Sequence, residues 1–240
     1  MRLITRLVIA GSIEIAFVAA TRLTIHYFSW QSVEAESIRT LLRILTATAY
    51  WWLFKGAILS RKLNPSTLMR PTLMIGLALF FSVPLLVGSY QVAGYVAVMF
   101  ALTSVPVALK EEFLFRGIVQ NLLSQKLGNV KAILLASAVF TVWHVGVKTP
   151  DAWVFVQIFF ASTLLGLIYV GSGSIVAVIA VHAVYDALYF MPLTSIPQDA
   201  SRGFIPLLAA LGCVIYWGFS GDNGLTSRSS GRAKSGAPLS

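Results

Sequence analysis

Long apolar runs alternate with short polar, glycine or proline breaks along almost the whole chain. The runs cover about Leu7 to Thr21, Leu41 to Leu59, Pro71 to Val87, Val92 to Leu127, Val130 to Val147, Trp153 to Val170, Ile175 to Phe190 and Phe204 to Phe219. A helix of about 20 apolar residues crosses a bilayer core about 30 Å thick. The pattern therefore predicts an all-α, polytopic transmembrane bundle of about eight helices. The fourth run would exceed about 50 Å as one helix. Thr103, Ser104 and Pro106 offer a break, since Ser and Thr cap helices and proline suits a first turn. A new helix is expected to start near Ser104 and to carry Glu111 and Glu112 in its early turns. Gly171-Ser-Gly-Ser174 reads as a tight turn.

Composition agrees with the pattern. Apolar residues make up 57% and charged residues 11%, where a soluble domain carries about 25% charged. The net charge of +9 is explained by basic loops and anionic lipid, not by nucleic acid. Lys55, Arg61, Lys62 and Arg70 fill the second loop without an acid, and the N-terminus and tail are also basic. An even span count puts all three on the cytoplasmic side, with Arg22, Arg39 and Arg43 as exceptions in the first loop. Residues 1–219 form the expected membrane domain, with a motif core over about 104–191. Residues 220–240 are Gly/Ser-rich and basic, the composition of a disordered tail. The expected location is a plasma (inner) membrane, with both termini cytoplasmic. Arg2 and Arg6 before an apolar stretch resemble a signal peptide, but Glu14 interrupts that stretch and a first membrane helix is the better reading. Cys213 is the single cysteine, which rules out an intramolecular disulfide and a cysteine-rich metal site.

Three motifs place charge where charge is costly: Glu111-Glu112-x-x-x-Arg116, Phe140-x-x-x-His144 and His182-x-x-x-Asp186. Positions four apart share a helix face. Glu112 and Arg116 are expected to pair as ions. Glu111 lies about 100° away, on the Phe115 face, where a desolvated carboxylate is a candidate general base. His144 could simply cap a helix C-terminus. A buried His182–Asp186 pair is a poor choice for stability alone, although a helix-packing hydrogen bond would also explain it. Together these residues could activate water and stabilise an oxyanion. Glu111, His144 and His182 could equally hold a zinc ion. The His-Glu-x-x-His signature and the Gly-x-Ser-x-Gly elbow are absent. His26 is expected in the first loop, has no acidic neighbour at helical spacing and reads as polar surface.

The stretches Glu111-Glu-Phe-Leu-Phe-Arg-Gly117, Phe140-Thr-Val-Trp-His144 and His182-Ala-Val-Tyr-Asp186 resemble, in order and placement, the three motifs of the CPBP intramembrane proteases. That family includes the type II CAAX prenyl endopeptidases. The resemblance covers about Pro106 to Met191. It implies an endopeptidase in which Glu111 activates water, His144 positions it, and His182 with Asp186 forms the oxyanion side. Glu112, Arg116 and Phe140 would support them. The implied substrate is a protein or peptide in the membrane, prenylated or not. No cofactor is expected, because the His-Glu-x-x-His signature is absent. Asp186 stands where the CAAX enzymes usually have Asn; an ionised Asp cannot donate to an oxyanion. It must be protonated, orient His182, or contact a metal. Two other readings remain: a non-catalytic immunity or chaperone-like protein on the same scaffold, and a proton-coupled transporter. A binder has no need of one Glu and two His in one pocket. Transporters often carry internal repeats, which this sequence lacks.

Overall fold

The computed structural model describes residues 3–28, 32–64, 70–87, 95–145, 152–189 and 211–213. Its regular elements are helical, as the apolar pattern requires. They are α1 (Leu3–Tyr27), α2 (Val33–Ile58), α3 (Pro71–Val87), α4 (Tyr95–Glu112), a π-helical segment (Phe113–Gln120), α5 (Asn121–Leu127), α6 (Asn129–Trp143), α7 (Ala152–Ser172) and α8 (Ile175–Tyr189). Leu3–Tyr27 and Val154–Ser172 are long and apolar enough to cross a membrane.

Exposure runs in the sense expected in lipid. Trp52, Leu102, Val105 and Val176 face outward, while Glu14, Lys110, Glu112 and Arg116 are buried. Charged groups at bilayer depth face the bundle interior for this reason. The core is continuous, from Tyr50, Phe54 and Ile58 of α2 through Phe115 and Ile118 to Phe140, Leu164 and Ile168.

Three expectations need correction. The fourth run does not break at Ser104: α4 passes through Pro106 without interruption. Ser104 turns its hydroxyl back to the Ala101 carbonyl (2.5 Å) and does not cap a new helix. What changes instead is the winding, which becomes π-helical just after Glu112. α4, the π segment and α5 contribute 18, 8 and 7 residues, a rod roughly 50 Å long. The second correction concerns the first loop. α2 begins at Val33, capped by Ser32, whose hydroxyl accepts from Ala35 N–H (3.0 Å). Arg39 and Arg43 therefore lie in a helix, both paired with Glu36 (2.5 and 2.6 Å). The third is His26, which is exposed in the last turn of α1 and not in a loop.

The expected turn at 171–174 is present. Gly173 has φ +64°, and a Cβ there would lie 1.8 Å from the Lys62 carbonyl oxygen, so only glycine fits. Asn64 N–H donates to Ser172 O (2.7 Å), docking the basic loop after α2 on this turn. Ser174 then caps α8 by accepting from Ala177 N–H (3.1 Å). The run over 204–219 is described only at Leu211–Cys213, and the tail over 220–240 lies outside the described residues.

Candidate active site

The π segment is the centre of the bundle: Phe113 to Ile118 and Gln120 are all buried. A helix enclosed on every side must satisfy its polar side chains against its neighbours. Arg116 does so on α7, donating through one terminal nitrogen to the Ser162 carbonyl (3.0 Å) and hydroxyl (3.1 Å). One turn on, Gln120 donates to Gly166 O (3.2 Å). Ser162 and Gly166 form a small-xxx-small face, which lets two helices approach closely. Gly117 serves the same end against α2, where an added Cβ would meet Ile58 Cγ1 at 2.9 Å. Asn121 closes the other side by donating to Ala57 O (2.9 Å) in the last turn of α2.

Glu112 is fully buried and has two partners. Its Oε2 lies 3.2 Å from Arg116 Nε, the expected ion pair, though without hydrogen-bond alignment. Its Oε1 lies 2.6 Å from His182 Nδ1 on α8. A carboxylate paired with arginine accepts, so Nδ1 carries a proton and Nε2 is turned to the other side of the ring. That side holds Glu111 Oε2 at 3.9 Å and Asp186 Oδ2 at 3.5 Å. Glu111 and Asp186 keep 12% and 15% of their side-chain surface exposed. They therefore border a partly open space, while Glu112 seals the rear.

His144 caps the C-terminal end of α6. Its Nδ1 lies 2.8 Å from the Phe140 carbonyl. A carbonyl only accepts, so Nδ1 carries a proton towards it and Nε2 is left for another partner. Phe140 joins the motifs. Its ring contacts Phe115 at 4.8 Å, His144 at 4.5 Å and His182 at 6.1 Å between centroids, and the Arg116 guanidinium at 5.2 Å. Edge-on aromatic and cation–π contacts of this kind fix ring orientation.

The structure thus brings together Glu111, Glu112, Arg116, Phe140, His144, His182 and Asp186 from α4, the π segment, α6 and α8. The sequence reading missed Ser162, Gln120, Gly166 and Asn121; the four-residue spacings Arg116–Gln120 and Ser162–Gly166 were the available signal. Among the described residues, no group of three or more His, Cys, Asp or Glu is arranged to hold a metal ion. No curated protein and no solved structure matches the chain. Residues 91–188 match the family model of the Rce1-like type II CAAX prenyl endopeptidases. That stretch contains all three motifs and the groups around His182, so the match supports the resemblance read from those motifs.

Proposed function

We propose that the chain is a multi-pass intramembrane endopeptidase that cleaves a membrane-borne protein or peptide with a water activated by Glu111. The observation that carries this reading is the double hold on His182. Glu112 fixes Nδ1 at 2.6 Å, and Nε2 is left facing Glu111 and Asp186 at 3.9 and 3.5 Å. The longer gap exceeds hydrogen-bond reach; it is a separation that one bridging water spans.

In this reading Glu111 takes a proton from that water as its oxygen attacks the scissile carbonyl. Nε2 of His182, when the ring carries both protons, donates to the oxygen that becomes negative. Glu111 then passes the proton to the leaving amine as the C–N bond breaks. His144 accepts through Nε2 and holds the water's second hydrogen. Arg116 holds Glu112 in place, and Glu112 in turn holds the tautomer of His182. The apolar helices around the site keep bulk water from competing. The derivation uses protonic groups alone, and we assign no metal to it.

The test uses the chain reconstituted in liposomes with two peptides of one sequence. One ends in a farnesylated cysteine followed by three residues; the other is unprenylated. Glu111→Ala, His144→Ala and His182→Ala each abolish turnover while the protein stays folded. Wild-type turnover in all three would overturn the reading. Preference between the peptides reports whether prenylation is recognised. Treatment with a chelator leaves turnover unchanged; lost turnover restored by zinc would return Glu111, His144 and His182 to the role of metal ligands.

A further inference from the structure

Glu14 is the single acid in the first apolar run, and the reaction above does not use it. It is almost wholly buried, in a helix whose other buried residues are only Ala10 and Thr24. One carboxylate oxygen pairs with the Lys110 ammonium of α4. The other accepts from the Tyr50 hydroxyl of α2 at 2.6 Å. The ammonium also lies over the Phe17 ring of α1 at 4.2 Å and 5.9 Å from the Trp143 ring that ends α6. One charged group therefore touches α1 and α6 from its place on α4, and its counter-ion is tied to α2.

A buried ion pair is a weak source of stability, because desolvation offsets the attraction. Apolar contact would hold α1 at least as well. What the pair supplies is direction. Lys110 directly precedes Glu111 and Glu112, and Trp143 directly precedes His144. Any rotation of α4 about its axis moves the Lys110 ammonium away from Glu14 and swings both glutamates together. We propose that Lys110 is a positioning residue: pinned by Glu14, it sets the rotation at which α4 presents Glu111 and Glu112, and through Trp143 the place of His144. The catalytic consequence rests on the peptidase reading; the placement itself does not.

The chain holds only three histidines, so the ring nitrogens of 15N-histidine-labelled protein in lipid nanodiscs can be assigned by single substitutions. Lys110→Met and the double variant Glu14→Leu/Lys110→Met shift the His144 and His182 signals, while exposed His26 stays. Lys110→Arg, which keeps the cation, returns them towards wild type. On a peptide that the wild type cleaves, kcat of Lys110→Met falls about 10- to 100-fold with KM nearly unchanged, the cost of a misplacement on the order of 1 Å. A role in stability alone predicts the opposite: the double variant, with no ion left unpaired, would fold with unmoved His144 and His182 signals and wild-type kcat. That result overturns the proposal. If Lys110→Met moves the signals while Glu111→Gln keeps full turnover, the peptidase reading fails and the placement stands. If Glu111→Gln is inactive and the Lys110→Met signals and kcat are wild type, the positioning role fails and the peptidase reading stands.

Discussion

Two adjacent glutamates, which helical spacing already sets on different faces, have different surroundings in the fold. Glu112 is sealed between Arg116 and His182, and Glu111 borders open space with only a 3.9 Å approach to His182. Substitution should separate them. Glu111→Gln is expected to lower kcat by about 10² to 10⁴, the range of a lost general base, with little change in Tm. Glu112→Ala strands a buried Arg116 and should cost about 3–5 kcal/mol of stability, visible as a large fall in Tm before any assay. Equal thermal stability of the two variants would refute this division. Asp186 is decided by a second pair. It lies 3.5 Å from Nε2, on the side of the His182 ring away from Glu112. Asp186→Asn, which supplies an amide donor, should keep kcat within about tenfold, while Asp186→Leu should lose about 100-fold. If both fall alike, the carboxyl group itself handles a proton.

At the scale of elements, the turn and the helix junctions make the sharpest claims. Gly173→Ala must place a Cβ against the Lys62 carbonyl at a positive φ, and should cost well over about 1 kcal/mol. Chemical denaturation of the purified protein measures it; an unchanged midpoint would mean the loop after α2 does not dock there. The turn was legible because glycine and serine punctuate apolar runs. Helices α3, α7 and α8 were also legible nearly to the residue, since lipid imposes long apolar segments. The break placed at Ser104 was not there, because helices in membrane bundles tolerate an internal proline. The π segment had no local signature. It arises where the helix is enclosed on all sides and must set Arg116 and Gln120 against Ser162 and Gly166 at once.

For the whole molecule, the distribution of basic residues makes an orientation claim. Lys62 is exposed in the loop that docks on the α7–α8 turn. With Cys213 replaced by alanine, Lys62→Cys should react with a membrane-impermeant maleimide only from the cytoplasmic side. Labelling in intact cells without permeabilisation would invert the topology.

The sequence by itself determined the solvent, the helical class and the three motifs, because apolar length and four-residue spacing are local properties that no packing can alter. It also carried the Glu112–Arg116 pair and the shared face of Phe140 and His144. Only the tertiary structure decided which nitrogen of His182 each acid faces, since Glu112 reaches it across 70 positions of chain. The structure alone also gave Glu14 a partner, Lys110, 96 positions away. Long-range contacts depend on how helices rotate against one another. That rotation is set by small residues, buried polar pairs and the wider winding after Glu112, none of which a hydropathy pattern records.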